Sequence, residues 1–580
     1  MGKETEKWSK SPQNNHQTRP VYNIRDFGAQ TIDTIPMERL KSFTPADHPD
    51  KFAHFAINKA IEQAHQAGGG TVYVPSGTWL IGSIRMKSYV TLYLENGSVL
   101  QAAQNGIDAF THWEHDLGNP IYATEDFGRV HMRASVIWAL NEKHMTIKGD
   151  GILRSWTDGY GGITNSGMDS GRPNPLDPNV DLDTYLPRFP QGDADKTIAF
   201  QQCTNITIKD ITILQGGHFG IILVGCENGN IRDVLIDTNR DGINLDCCRN
   251  FRITGCTINS MCDDGICIKS PSSLGYMKPS QNITISDCIL YGYDFGSVYD
   301  QTYTQKMWVN KETGVPYSKT HGTGRIKLGT KSAGGFRNIT VTNCVFENSR
   351  GFCIEGVDGG DIENITFSNI LMRKCTNSPI FIRLGGRQRT IRKDPPIARI
   401  TNIQIHDVTV VQTPYSSRNF SSLILGLNED HKVENINISD YRLVTKGGGT
   451  EEMKDNKVPM NDARWFPKRD ENGEFIEVMR DGKKKRLKVG TGSHYPEPHN
   501  FVSDRNPAPA WGFFVRYAKN ITFDNVMMET EKADARNSII FDHAEEVTLD
   551  KVYERNPDKK APASMEWIKS TQYKEKGSYR

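Results

Sequence analysis

The chain has 580 residues, and its 70 basic residues almost balance its 69 acidic ones, which leaves a net charge of +1. Proteins that bind nucleic acid or a membrane surface usually carry a basic excess, so this balance argues against both kinds of partner. No run of residues approaches the roughly 18 apolar positions of a membrane span, and we therefore expect no membrane association.

The first hundred residues predict a tail followed by a cap. Residues 1–20 are polar and typical of a disordered tail, and we expect a secreted or periplasmic protein whose export signal has been removed. Residues 51–66 have the apolar spacing of an amphipathic helix, which the glycines at 68–70 end. Together with short strands predicted at 71–75, 78–84 and 89–95, this helix is expected to form an N-terminal cap over about 21–100 of a single domain, 21–580.

From about residue 135 the chain repeats short segments in which a polar residue, usually Asn, precedes alternating apolar residues. The starts at Asn205, Asn230 and Asn250 are 25 and 20 residues apart, which is a solenoid period. Too little helix is predicted for an α-solenoid. We therefore predict an all-β chain folded as a parallel β-helix, in which each coil buries its apolar face on its neighbours.

Two ladders of side chains follow from these repeats. Several segments start with Asn-Ile-Thr, which matches the glycosylation sequon, but the regular recurrence favours stacked asparagines that bond to the backbone of neighbouring coils. All 11 cysteines lie between Cys203 and Cys375, and Cys256, Cys288 and Cys344 occupy equivalent places. No CxxC pair occurs, so we expect a ladder of small buried thiols and predict neither a metal nor another cofactor.

Three long segments interrupt the repeats, at 157–195, 291–323 and 447–511. The first is rich in Gly, Pro and Asp, the second contains aromatic residues such as Tyr299, Tyr303 and Trp308, and the third is charged, with a possible hairpin around 483–486. Long loops often form the walls of functional sites. We expect these insertions to close one end of a binding groove.

Three of the five aspartates in the stretch 237–270 lie in two similar settings, each followed by Gly and Ile. Asp241 precedes the adjacent pair Asp263 and Asp264 by about one coil, so the carboxylates are expected to stack on neighbouring coils. In the strand that follows the pair, alternation places Ile266 and Ile268 on one face and Cys267 and Lys269 on the other. Stacked carboxylates beside a lysine favour a hydrolytic site for an anionic substrate.

Asn239-Arg240-Asp241-Gly242 and Asp263-Asp264-Gly265 resemble the signature of glycoside hydrolase family 28, the polygalacturonase family, which has Asn-Thr-Asp on one coil and Asp-Asp on the next. DFGA at 26–29 and GGGTVYVPSGTWLIGSI at 68–84 add to the resemblance, which covers most of 21–445. It implies a right-handed parallel β-helix that hydrolyses α-linked galacturonic acid in pectic polysaccharide or oligosaccharide. The long insertions favour exo action, and we expect a monomer.

The resemblance also implies an inverting mechanism, with Asp263 as the general acid and with Asp241 and Asp264 holding the attacking water. Clustered carboxyl groups suit this division of roles, because like charges raise one pKa and keep a proton available. For any single Asp-Gly pair a turn would be the ordinary interpretation. Three aspartates in register with the signature favour catalysis.

The chain departs from the family pattern at its basic residues. Arg240 replaces the Thr of Asn-Thr-Asp, and His321 lies about three residues earlier than the family's His-Gly motif. Where the family has Arg-Ile-Lys, this chain has Cys353-Ile354-Glu355, whereas its own Arg-Ile-Lys, 325–327, comes one coil earlier. The substrate's carboxylate must therefore be bound by other groups. The candidates for substrate binding are Asn239, Arg240, Lys269, His218, His321, Arg325, Lys327, Arg383 and Arg387.

Each candidate also has an ordinary structural interpretation. His218 is about as consistent with a satisfied structural histidine, and Arg383 and Arg387 suit surface ion pairs as well as a bidentate grip on a carboxylate. Two other functions remain open at this point. One is a polysaccharide lyase or epimerase on the same fold, which would use Ca²⁺ and a basic residue, and the other is a non-catalytic β-helix that binds glycans.

Overall fold

The computed structural model describes residues 20–113, 125, 127–155, 191–305, 307–309, 316–318, 322–412, 421–458, 477–480, 483–486, 507–557 and 565–576. The predicted tail 1–19, His321, and most of the insertions 157–195 and 447–511 lie outside these residues. Within them, 33 strands form one sheet that winds into coils, and each coil contributes short parallel strands to three faces, here called A, B and C. The division into one domain, 21–580, stays a prediction.

In the first half of the chain, turns separate the strands of the three faces. Face A contains Val21–Asn23, Gly70–Val74, Val90–Leu94, Lys143–Lys148, Thr204–Lys209, Glu227–Arg232, Arg249–Thr254 and Ser280–Ser286. Face B contains Gly77–Ile81, Ser98–Ala102, Ile152–Arg154, Thr212–Leu214, Leu235–Thr238, Thr257–Ser260 and Ile289–Tyr291. Face C contains Ile84–Arg85, Ser135–Leu140, Lys196–Gln201, Phe219–Val224, Asp241–Asp246, Ile266–Ser270, Ile326–Ser332, Phe352–Gly356, Ile380–Leu384 and Ser422–Leu425.

In the second half, single strands continue around the corners between faces. The strands that run through faces A and B are Phe336–Glu347, Ile362–Cys375, Ile400–Gln412 and Val433–Gly447. Ala510–Lys532 and Asn537–Arg555 run through all three faces, and Met565–Ile568 and Gln572–Lys576 pair with the last of them. Two antiparallel hairpins stand apart, Met307–Val309 with Pro316–Ser318 and Glu477–Arg480 with Lys483–Arg486.

Helices are few and short. The amphipathic spacing at 51–66 corresponds to a helix at His54–Gln66, whose Ile57, Ala60 and Ile61 belong to the main hydrophobic core. In the described parts of the chain, the other α-helices are Met37–Leu40 and Phe127–Val130, and the 3-10 helices are Ile24–Phe27, Pro49–Lys51 and Glu451–Asp455. Among the described residues, no helix combines the length and the apolar character that a membrane span requires.

The core runs along the axis of the coils. On face C, Ile221, Ile243, Ile266 and Ile326 follow one another in register on successive coils, and all four are fully buried. A single coil could not cover such side chains, because one coil offers only a narrow strip of apolar surface. Stacking therefore creates the core, and burial of each fully enclosed Ile contributes roughly 1.5–3 kcal/mol.

The asparagine ladder is present, but its bonds differ from the prediction. Asn250 donates to the side-chain oxygen of Asn228 at 3.0 Å, and Asn282 and Asn338 continue the pattern at 3.0 and 3.1 Å. The bonds therefore join side chains rather than a side chain and a backbone. Each of these residues has a positive φ near 55°, a conformation that Asn adopts more readily than most residues. The ladder position on the second coil is Asn228, not Asn230, so the coils are more regular than the sequence suggested.

The cysteine ladder is confirmed. None of the 11 cysteines, all of which the structure describes, forms a disulfide; ten of them are buried, and Cys262 is exposed. Cys256, Cys288 and Cys344 belong to the main core, where they pack as small apolar residues.

Candidate active site

The centre of face C carries polar side chains on its outer surface. The strands Asp241–Asp246, Ile266–Ser270 and Ile326–Ser332 are consecutive, and their outward residues Asn244, Cys267 and Lys327 are in register. Ile266 and Ile268 point into the core, so the predicted alternation in this strand is confirmed. The aspartates and their partners thus occupy the outer side of the coil stack.

The register brings Asp264, rather than Asp263, beside Asp241. Ile243 pairs with Ile266, and the backbone N–H of Gly242 donates to the carbonyl of Asp264 at 3.1 Å. The glycines permit this close approach, because a Cβ on Gly242 would lie 2.5 Å from the carbonyl oxygen of Gly265. The stacking predicted from the sequence is therefore observed with an offset of one residue.

Asp241 is buried within a set of cationic and amide donors. Lys269 Nζ lies 3.0 Å from its Oδ2, Asn244 Nδ2 donates to the same oxygen at 3.0 Å, and Arg129 Nη2 is 3.9 Å away. Burial by itself would raise the pKa of Asp241, but the charge of Lys269, helped by His218 and Arg129, lowers that pKa to about 2. The carboxyl group is therefore ionised at any ordinary pH.

Asp264 is held in a similar way by a different set of groups. Arg325 Nε donates to its Oδ1, Lys327 Nζ lies 3.9 Å from its Oδ2, and Cys267 Sγ donates to Oδ2 at 3.3 Å. Burial opposes ionisation here too, but the charges of Arg325 and Lys327 hold the pKa of Asp264 well below its usual range.

Asp263 differs from the other two aspartates in exposure and in pKa. Its side chain is 30% exposed, against 3% for Asp241 and Asp264, and Arg240 Nη2 lies 3.1 Å from its Oδ2. Partial removal from water and the negative charge of Asp241 raise the pKa of Asp263 to about 7, although Arg240 acts in the opposite direction. Three neighbouring carboxyl groups thus comprise one that retains a proton near neutral pH and two that are ionised.

Several predicted binding residues surround this trio. Lys269 remains charged, since Asp241 raises its pKa against the effect of burial. His218 is buried, with its ring 4.1 Å from that of Phe219, the residue in register with Asp241. Asn239 is half-buried at the turn before Asp241, where its carbonyl accepts the N–H of Cys262 at 3.0 Å.

The basic residues farther along the stack pair with carboxylates of the protein itself. Lys327 and Arg383 both contact Glu355, at 3.0 and 3.1 Å. Arg387 donates through two nitrogens to Asp358, at 2.8 and 2.5 Å. Arg383 and Arg387 were predicted to bind the carboxylate of the substrate. In the structure they form ion pairs with Glu355 and Asp358 of the protein itself. On the described residues, Arg240 and Lys269 are the predicted cations whose side chains remain partly exposed near Asp263, at 19% and 10%.

Three residues that contribute to the site were missed by sequence reasoning. Arg129 lies in the short helix Phe127–Val130; its guanidinium pairs with Asp246 and covers the ring of Phe219 at 4.9 Å. No repeat or motif marks it. Glu355 was seen only as a departure from the family pattern. Asn244 could have been found, because Asp-Gly-Ile-Asn repeats the form of Asp-Gly-Ile-Cys one coil later.

Apolar clusters outside the main core flank the charged centre of face C on both sides. Towards the earlier coils the cluster consists of Met132, Ala199, Phe219, Ile222 and Val224. Towards the later coils it consists of Cys353, Phe381, Leu423, Leu425, Val458, Ala508, Ala510, Phe514 and Ile540. Both clusters include residues from segments that lie over the face, such as Met132 on one side and Val458 on the other.

The end of the insertion 447–511 that covers the later coils is fixed by two arginines. Arg516 Nη1 donates to the carbonyl of Val458 at 2.7 Å, and Arg536 Nη1 donates to that of Ala508 at 2.9 Å. Arg536 is fully buried and forms an ion pair with Asp534 at 2.8 Å. These bonds hold Val458 and Ala508 against the apolar cluster of the later coils.

Within the described residues, one group of side chains has the spacing of a metal site. Oxygens of Asp241 and Asp264 and the sulfur of Cys267 lie within 4.8 Å of one another. Lys269 and Arg325 already neutralise the two carboxylates, and burial raises the pKa of the thiol well above its usual range. This set of donors disfavours a cation.

Two family models match the chain. The model described as "Right handed beta helix region" matches residues 191–313, which include all three aspartates, and "Glycosyl hydrolases family 28" matches 276–463. A curated "Probable polygalacturonase" from Vitis vinifera is 26% identical over 316 residues, which are 51% of this chain and 57% of that protein. The chain therefore matches little more than half the length of this relative.

One of two similar solved structures supports the fold. An exopolygalacturonase from Thermotoga maritima has a TM-score of 0.50 at 18% identity, over 73% of this chain and 87% of that one. A family 28 exopolygalacturonase from Yersinia enterocolitica has a TM-score of 0.48 at 14% identity, over 96% and 78%. The predicted right-handed parallel β-helix and the resemblance to family 28 are confirmed.

Proposed function

We propose that this glycosidase of the family 28 type cleaves α-linked galacturonic acid in pectic polysaccharide or oligosaccharide, from one end of the chain and with inversion at the anomeric carbon. The observation that carries the proposal is the division of pKa values within the aspartate trio. Asp263 has a pKa of about 7, Asp241 has one of about 2, and that of Asp264 is also strongly lowered. Inverting hydrolysis needs this combination of a protonated acid and an ionised base.

In the proposed mechanism each carboxyl group has one step. Asp263 is the most exposed of the three, so its proton is the one that can reach the glycosidic oxygen. When the proton leaves, a carboxylate remains, and Arg240 stabilises it from 3.1 Å. Asp241 and Asp264 lie side by side and are ionised, so they orient a water molecule and one of them accepts its proton as the oxygen attacks.

An acidic sugar fits the charges at the opening of the site. Arg240 and Lys269 bring two positive charges next to Asp263, where a sugar bound for cleavage would lie. Both also pair with an aspartate of the trio, but their side chains remain 19% and 10% exposed, whereas the other predicted cations that the structure describes lie farther along the stack on Asp264, Glu355 or Asp358. We therefore assign recognition of the substrate's carboxylate to Arg240 and Lys269.

Exo action is supported by the limits of the charged surface. Clusters that contain Met132 on one side and Val458 on the other cover face C beyond the catalytic coils. A groove that continued past both clusters would suit internal cleavage of a long chain. A short charged stretch between covered ends suits a pocket for a chain end.

The test is incubation of the protein with galacturonic acid oligomers of defined length, with products followed by NMR. Release of single galacturonic acid units whose first-formed anomer is inverted supports the proposal. A mixture of internal fragments would contradict exo action, and retention of configuration would contradict the assigned roles. Products that absorb as unsaturated sugars would indicate a lyase instead.

A further inference from the structure

Two aspartates of the site are each bonded by the residue three positions later. In Asp241-Gly242-Ile243-Asn244, the amide Nδ2 of Asn244 donates to Asp241 Oδ2 at 3.0 Å. In Asp264-Gly265-Ile266-Cys267, the thiol of Cys267 donates to Asp264 Oδ2 at 3.3 Å. The same local arrangement thus occurs on two successive coils, with a different donor on each.

The two donors are direct neighbours across the sheet. Asn244 pairs with Cys267 in the strand register, and both side chains are fully buried. The sulfur of Cys267 lies within 4.8 Å of oxygens of both aspartates. Asn244 uses its Nδ2 on Asp241, whereas its Oδ1 has no hydrogen-bond partner among the described residues. The hydrogen bond to Asp241 therefore determines the orientation of the Asn244 amide.

We propose that Asn244 and Cys267 act as a pair of positioning residues, which fix the separation and orientation of the two carboxylates that hold the attacking water. This inference rests on the proposed function. Lys269 contacts Oδ2 of Asp241 and Arg325 contacts Oδ1 of Asp264, so each of these ion pairs holds its carboxyl group through one oxygen. A second donor on Oδ2 of each carboxylate fixes the rotation, and a misplacement of about 1 Å in such a group costs roughly 100-fold in rate.

Packing is the simpler explanation for a buried cysteine, and it applies to the others in this chain. Cys256, Cys288 and Cys344 belong to the main core, where no carboxylate is bonded to them. Cys267 lies on the outer side of face C, outside that core, in register with Lys327. Burial keeps its thiol protonated, because it raises the pKa well above the usual range, so Cys267 remains a donor.

The test measures kcat and KM on galacturonic acid oligomers for Cys267→Ala, Cys267→Ser, Asn244→Ala and the double alanine variant. We expect each alanine substitution to lower kcat about tenfold with KM within about twofold, and Ser, which keeps a donor, to restore most of the loss at position 267. The double variant should lose less than the product of the single losses, because both residues serve one water site. Cys344→Ala, equally buried but remote, is the control and should match the wild type.

Alanine variants with wild-type kcat, or a serine variant as impaired as Cys267→Ala, would overturn the inference while sugar release by the wild type still supported the proposed function. Thermal unfolding of every variant separates a catalytic loss from a folding defect. If an alanine variant does not fold, the comparison of Cys267→Ser with Cys267→Val, which matches the thiol in size but lacks a donor, decides the question. Absence of sugar release by the wild type would remove the proposed function and this inference together.

Discussion

Arg240 lies 3.1 Å from Asp263, measured from Nη2 to Oδ2, and it reaches that carboxyl group from the preceding coil. It occupies the place where the related signature has Thr, so this chain has added a positive charge beside its proposed acid. A cation at this distance favours the ionised form of a carboxyl group and lowers its pKa. The pKa of Asp263 is about 7 in spite of Arg240, not because of it.

Replacement of Arg240 by Gln should therefore raise the pKa of Asp263. The high-pH limb of the kcat profile, where activity falls as the acid loses its proton, should move upward by about one unit. KM for an acidic oligomer should rise as well, because a cation proposed to bind the substrate is lost. Arg240→Lys keeps the positive charge, so the high-pH limb of its kcat profile should stay near the pH found for the wild type. A limb that stays in place in Arg240→Gln would show that another group controls it.

Asp263→Asn removes the proton donor but keeps the shape of the side chain. We expect kcat to fall by about 10²–10⁴-fold, the usual contribution of a general acid, with oligomer affinity by calorimetry nearly unchanged. Asp233→Asn is a suitable control, because Asp233 is exposed on the outside of the coils and Asn tolerates its positive φ. Substantial turnover by Asp263→Asn would remove Asp263 from its proposed role.

The raised pKa of Asp263 also predicts how stability varies with pH. Its pKa in the folded protein is about 7, against 3.8 as the reference value, so the unfolded chain releases this proton at lower pH. The contribution to stability is complete below about pH 4 and is lost as the pH rises through about 7. Urea midpoints across this range should decline less steeply for Asp263→Asn than for the wild type. Parallel curves would show that the carboxyl group is not perturbed.

Glu355 is the sole carboxylate that contacts both Lys327 and Arg383 in the described part of the chain, at 3.0 and 3.1 Å. Glu355→Gln leaves two buried cations without this partner, and breaking a buried pair costs about 3–5 kcal/mol. The exposed pair between Arg337 and Glu363 is a control, and Glu363→Gln should cost about 1 kcal/mol or less. Denaturant unfolding compares them, and equal losses would contradict this view of Glu355.

The asparagine ladder can be tested at Asn338, which has a φ of 54° and bonds with Asn282 and Asn364. Asn338→Ala loses both bonds and places Ala in a left-handed conformation, for a loss of about 1–2 kcal/mol in unfolding free energy. Asn338→Gly loses the same bonds but adopts this φ without strain, so it should be less destabilising at this exposed site. If the two variants are equally destabilised, conformation is not the reason that Asn recurs here.

Local pattern was enough to predict much of the architecture. The alternation that placed Ile266 and Ile268 inward and Cys267 outward is a property of any strand with one buried face, and the helix at His54–Gln66 follows from apolar spacing. The clustering of Asp241, Asp263 and Asp264 was predicted from the repeat spacing, and the family signature supported it. Their catalytic roles, and the binding roles of Asn239, His218 and the basic residues, stay predictions.

Long-range partners were beyond the reach of sequence reasoning. Arg129 pairs with Asp246, which is 117 residues away in the sequence. Arg129 lies in a segment between two coils, and the repeat pattern does not predict which part of the protein such a segment contacts. Arg383 and Arg387 were predicted to bind the substrate's carboxylate or to form surface ion pairs, but a sequence does not show that Glu355 and Asp358 pair with them inside the protein. The pairing of Asp241 with Asp264 instead of Asp263 depends on the length of a single turn.

The covered ends of face C have a consequence for how a polymer would be consumed. The charged stretch between the two clusters spans three neighbouring strands, from Asp241–Asp246 to Ile326–Ser332, which at the usual strand spacing is about 10 Å. A much longer polysaccharide could bind there only through one of its ends, so each cleavage would shorten the polymer by a small terminal unit. A pectic solution treated with this protein should then stay nearly as viscous as before while reducing sugar accumulates steadily.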